Sequence, residues 1–135
     1  MKTVKNVLLA FAIFSFGFFG VVYAQSQANV IKTAKYKYKE DNGIMNIKYL
    51  DNGQAIVEIE TENSMGYGCQ VYETGNVVGN VIEINRFDKE MDQKIHIKVT
   101  LRNNTANVDL FEGVSFCGVK GGFTGKYVLS KKRGR

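Results

Sequence analysis

The chain has 135 residues, room for one domain and not two, and its 18 Lys+Arg against 13 Asp+Glu look basic only until the charges are located. Lys2 and Lys5 lie at the N-terminus and Lys131, Lys132, Arg133 and Arg135 at the other end, so the body from Gln25 to Ser130 carries 12 cations and 13 anions. That balance argues against nucleic acid as a partner, and residues 131–135 read as a solvated basic C-terminal tail.

Residues 1–24 have the order of a secretory signal peptide. Lys2 and Lys5 precede the uncharged run Val7 to Val22, and the small residues Val22 and Ala24 occupy the −3 and −1 positions of a cleavage site. No second long apolar stretch follows, so no membrane span is expected. No Cys follows the apolar run, which argues against a lipid anchor. The expectation is a single β domain over residues 25–130 in the periplasm or secreted.

Within that domain apolar residues recur with period two between short turn sequences, the pattern of strands with one wet face. Tyr36 and Tyr38 alternate with Lys35, Lys37 and Lys39; Met45, Ile47 and Tyr49 alternate with Asn46 and Lys48; Ala55, Val57 and Ile59 alternate with Glu58 and Glu60. The first connection contains Asn42-Gly43, the preferred pair for a two-residue type I′ turn, which would set Tyr38 opposite Ile47 and Tyr36 opposite Tyr49. A three-residue loop Asp51-Asn52-Gly53, with Gly53 left-handed, would set Tyr49, Ile47 and Met45 opposite Ala55, Val57 and Ile59. Either hairpin slipped by one residue would turn these side chains into water.

Five more strands are expected at about 67–73, 77–85, 94–102, 106–111 and 122–129, with residues 86–93 as a loop. The fold class is therefore all-β, an antiparallel meander of about eight strands closed into a small barrel or a strongly curled sandwich. Cys69 and Cys117 are the two cysteines, and in an exported chain they are expected to pair as one disulfide.

Catalytic chemistry finds little support. The single histidine, His96, falls on the polar face of its strand and reads as a solvated surface residue. Glu58, Glu60 and Glu62 alternate as an exposed face does, with Lys35, Lys37 and Lys48 as charge partners. Asp88, Glu90 and Asp92 lack the spacing and the turn glycine of a calcium loop. No nucleophile is supplied with its base, so no enzyme, metal or cofactor is expected.

The segments around the cysteines are more distinctive. Gly66-Tyr67-Gly68-Cys69 and the run from Cys117 to Tyr127 combine aromatic residues with glycines, fitting a closing strand that buries Phe123, Gly125 and Tyr127. The same features fit a pre-ordered loop that docks into a partner's cleft. The Tyr67-Gly68-Cys69 triplet and the Thr-Gly-Lys-Tyr run over residues 124–127 resemble the periplasmic or membrane-bound inhibitors of c-type lysozyme, whose patterns are Tyr-x-Cys and Ser-Gly-x-x-Tyr. The resemblance covers the second half of the chain. It departs from the family in having Thr124 for Ser and one residue, not two, between Gly125 and Tyr127. It implies a barrel that inserts a polar loop into a hydrolase cleft, with Thr124, Lys126 and Tyr127, and Ser64 and Tyr67 before the first cysteine, as the contact residues. Two other expectations stand beside it. One is an immunity protein against a secreted toxin; the other is a lipocalin-like carrier with a hollow lined by Tyr36, Tyr38, Tyr49 and Phe123.

Overall fold

A computed structural model describes residues 27–113, 116–117 and 121–130; the expected signal peptide and basic tail lie outside the described residues. Eight strands follow one another: β1 (Val30–Tyr38), β2 (Asn42–Leu50), β3 (Gln54–Glu62), β4 (Gly68–Val78), β5 (Val81–Asp88), β6 (Gln93–Arg102), β7 (Thr105–Glu112) and β8 (Gly125–Leu129). Each pairs antiparallel with the next, and β8 pairs with β1, so the meander closes into a barrel. No helix among the described residues is long and apolar enough to cross a membrane.

Alternation sets what the barrel encloses. Met45, Ile47, Val57, Ile59, Ile82, Ile84, Ile97 and Val99 are fully buried, with Tyr36 and Tyr127 among them, while Lys35, Lys37 and Glu60 face water. Burying each such aliphatic side chain is worth about 1.5–3 kcal/mol. The interior is thus occupied by side chains, as expected of eight strands.

The β2–β3 hairpin has the expected register, with Tyr49 opposite Ala55, Ile47 opposite Val57 and Met45 opposite Ile59, and Gly53 adopts φ +82°. The β1–β2 hairpin does not. Tyr36 sits opposite Met45 and Ala34 opposite Ile47, so the expected pairing of Tyr38 with Ile47 is displaced by an even number of residues that preserves the buried face. Asn42 and Gly43 belong to β2, opposite Glu62 and Thr61, and form no two-residue turn. Gly43 serves close approach instead, because a Cβ there would lie 2.7 Å from Thr61 Cγ2 and 2.8 Å from the Glu60 carbonyl. Tyr38 lies beyond the last β1–β2 pair, Lys37 with Ile44, and its strand partner is Tyr127 of β8.

Two further boundaries differ from expectation. β4 runs on to Val78 and turns at Gly79-Asn80, and Arg86 to Asp88 belong to β5 and not to a loop. Backbone pairing between these two strands covers only Asn76–Val78 with Val81–Glu83. Beyond it Glu73, 7 % exposed on the inward row of β4, accepts from Arg86 Nε at 2.9 and 2.8 Å and from Nη2 at 2.7 Å. The guanidinium also donates to Asp88 at 3.1 Å, so a side-chain fork joins the two strands where the backbone ladder has stopped.

Candidate functional site

The antiparallel order places the connections after β1, β3, β5 and β7 at one end of the barrel. The connection from β7 to β8 is the long one, and its described residues 116–117 and 121–124 lie across the mouth. It reaches β4, where Cys117 bridges to Cys69 (S–S 2.09 Å) and Gln70 N–H donates to the Phe116 carbonyl at 3.0 Å. It thereby takes the edge of β4 that β5 has vacated. Gly121 is required next, since a Cβ there would lie 3.0 Å from both Cys69 Sγ and the Gly68 carbonyl. A formed disulfide fits an oxidising compartment.

The chain then runs back to β8 under three hydroxyl tethers. Thr61 Oγ1 donates to the Gly122 carbonyl at 2.6 Å, Tyr127 OH to the Phe123 carbonyl at 2.6 Å, and Tyr38 OH to the Thr124 carbonyl at 2.7 Å. Three consecutive carbonyls are held by side chains from three different strands. Below them Phe123 is buried, Phe116 meets it edge-on at 5.8 Å, and Tyr38 stacks on Tyr127 at 4.7 Å. Burial, reinforced by Tyr38, raises the Tyr127 phenol well above its ordinary pKa; burial followed by Glu40 and Asp41 raises Tyr38. Both therefore stay protonated donors at neutral pH. Gly125, at φ +119°, makes the turn into β8.

The neighbouring β3–β4 turn is also self-ordered. Asn63 Oδ1 accepts from Met65 N–H and Tyr67 N–H, each at 3.0 Å, and the Asn63 carbonyl accepts from Gly66 N–H at 2.9 Å. A recess of about 600 Å³ lies beside it, bounded by Asn42, Glu62, Gly68 and Phe116.

The five residues singled out from the sequence separate in space. Ser64, Tyr67 and Thr124 lie at this end with exposed side chains. Lys126 is exposed but stands on the outer wall opposite Asn107, beside a recess that also borders Arg102 and Asp109. Tyr127 is placed differently from its expected contact role: it has no exposed surface, because the alternation that turns Lys126 outward turns it inward. His96 faces outward but is not free in water, since its Nε2 lies 2.9 Å from Glu83 and its ring packs on Phe111 at 4.8 Å.

Sequence reading missed the apolar rim. Met65, Phe87, Met91 and Phe111 are all more than half exposed and all belong to this end, beside the half-exposed Tyr67. Phe111 carried a signal, an aromatic on the outward row of its strand, whereas Phe87 and Met91 fell in the segment read as a loop. The hydroxyl tethers carried none, because Thr61 and Tyr38 are remote in sequence from the carbonyls they bind. Comparison with models of known families, with characterised proteins and with solved structures gives no match to this chain.

Proposed function

We propose that the protein is an exported binding protein whose disulfide end blocks the cleft of a cell-wall hydrolase, in the manner of the c-type lysozyme inhibitors it resembles. The observation that carries this reading is the tethering of three successive carbonyls over residues 122–124 beside a disulfide. A connection ordered in advance loses little entropy on docking. Exposed Tyr67, Met65 and Thr124 around it supply the mixed aromatic and polar surface of a contact patch. A lipocalin-like carrier fits less well, because the barrel centre is filled and this mouth is crossed by the Phe116–Phe123 plug. An immunity protein would dock in the same way on a toxin, and a lysozyme assay separates the two.

The test is inhibition of c-type lysozyme by the wild type, Tyr67→Ala, Thr124→Ala and Lys126→Ala. Tyr67→Ala and Thr124→Ala are expected to weaken inhibition by about 1–2 kcal/mol each, and Lys126→Ala by less, with melting temperatures unchanged. Absence of wild-type inhibition rejects the lysozyme reading and directs the search to toxins.

A further inference from the structure

The near balance of 12 cations and 13 anions over residues 25–130 hides an uneven distribution. β3 carries Glu58, Glu60 and Glu62 and no cation, whereas β1 and β8 carry Lys32, Lys35, Lys37 and Lys126 and no acid. Alternation turns Lys35 and Lys37 of β1 and Lys126 of β8 outward, since Tyr36 and Tyr127 beside them are buried.

These outward cations are neighbours across the strands. Lys39 N–H donates to the Lys126 carbonyl at 2.9 Å, which sets the two residues side by side. Lys37 lies opposite Val128 of β8, Val128 opposite Thr105 of β7, and Thr105 opposite Arg102 of β6. Arg102 and Lys126 border one recess of about 350 Å³, whose acid, Asp109, accepts from Asn107 Nδ2 at 3.0 Å. At about 4.8 Å per strand and about 3.3 Å per residue, the array spans roughly 14 Å from Arg102 to Lys37 and roughly 13 Å from Lys35 to Lys39.

Lys35, Lys37, Lys39, Lys126 and Arg102 are exposed, and among the described residues none has a carboxylate within ion-pair distance. All 13 acids of the chain are described residues. Ser130 N–H donates to the Lys35 carbonyl at 2.8 Å, and the residues that follow it in sequence add Lys131, Lys132, Arg133 and Arg135 and no acid. The chain thus holds no further acidic side chain that could neutralise this wall.

We infer that this wall of the barrel docks on a membrane surface bearing anionic phospholipids, with headgroup phosphates against Lys35, Lys37, Lys39, Lys126 and Arg102. Clusters of about 4–8 cations characterise such docking. An array extended in two directions on the convex outside of a barrel matches a plane of headgroups, whereas a linear polyanion would meet one row of it. Ile44 and Val128 face outward on either side of Lys37, so lysine stems cross apolar surface while their ammonium groups reach outward. The docked wall is the side of the barrel, and the disulfide end stays open to a soluble partner.

The test is co-sedimentation of the purified protein with vesicles of phosphatidylcholine alone and with vesicles that also contain phosphatidylglycerol. Binding to the anionic vesicles is expected, weakening as salt rises, with none to the neutral ones. Lys37→Gln, Arg102→Gln and Lys126→Gln in one chain should weaken it at least about tenfold, with the melting temperature unchanged because all three side chains are exposed. A second chain with Lys48→Gln, Lys89→Gln and Lys94→Gln loses the same charge from other parts of the surface and should bind nearly as the wild type does. Absence of binding to anionic vesicles, equal loss in the two triple variants, or binding unchanged by the wall variant overturns the inference. So does binding to linear polyphosphate without binding to the vesicles, which would make a soluble polymer the occupant.

Discussion

The two ends of the barrel close in opposite ways. At the disulfide end the backbone ladder fails early, between β4 and β5, and the gap is filled by what the chain brings back: the Glu73–Arg86 fork, the Cys69–Cys117 bridge and a connection held by three hydroxyls. At the other end the turns are short, and Gly53 and Gly79 make them with positive φ. One end is ordered by long-range side-chain contacts and presents side chains. The other is ordered by local turns.

Several substitutions measure that difference. The largest effect is expected from Cys69→Ala with Cys117→Ala. The 48-residue separation gives about 4 kcal/mol in the chain-entropy treatment, and denaturant unfolding should show a loss of about 2–5 kcal/mol. Ile47→Ala, in the shared core between the ends, is expected to cost about 2–5 kcal/mol as well, read by the same denaturant unfolding. A Cys-free protein as stable as the wild type would mean that the crossing connection is held without its crosslink.

Next comes the fork. Arg86→Ala leaves the Glu73 carboxylate in the barrel wall without its cation. The cost is about 2 kcal/mol, less than for a fully buried pair because Arg86 is 41 % exposed. The glycines sharpen the contrast further. Gly121→Ala forces a Cβ against Gly68 and Cys69 and should cost about 1–3 kcal/mol by overpacking. Gly53→Ala meets open space and should cost only the left-handed penalty of about 1 kcal/mol.

The tethers have a pH signature. The Tyr127 phenol is raised above its ordinary value of 10.0, so the protonated form stabilises the fold. That contribution is complete below pH 10 and is lost as the pH rises through the raised folded value. Tyr127→Phe should lower stability by about 1 kcal/mol at neutral pH, for the lost bond to Phe123, and flatten the decline above pH 10. Thermal unfolding between pH 8 and 11 measures both. Smallest of all is Lys48→Ala. Its 2.6 Å bond to Glu58 is partly exposed and screened by solvent, so the melting temperature should stay nearly unchanged.

The fold was legible where sequence neighbours decide it. The β2–β3 register followed from Gly53 and the alternation on either side, because both partners of each pair lie within one hairpin. The β1–β2 register did not. Asn42-Gly43 carries the residues of a tight turn, but β3 pairs with both of them, and Thr61 claims the space beside Gly43. The buried face survived because the displacement is even. Glu73 offered an unread signal: an acid on the inward row of Cys69, Val71, Gly75 and Val77 requires a cation partner, and Arg86 provides it. The disulfide was legible from the two cysteines, and the outward Thr124 with the buried Phe123 and Tyr127 from the alternation over residues 123–127; of the two roles expected of Tyr127, its side chain has the core one.

The account rests on the tethered residues 121–124 and the disulfide beside them being ordered before any partner arrives, and one measurement addresses this most directly. Inhibition of c-type lysozyme is compared for the disulfide-bonded wild type and the Cys69→Ala, Cys117→Ala protein, at a temperature where circular dichroism shows both folded. Inhibition by the wild type, weakened at least about tenfold in the Cys-free protein, is the predicted result, the loss reflecting the ordering entropy that docking must then supply. Equal inhibition by the two proteins would contradict it.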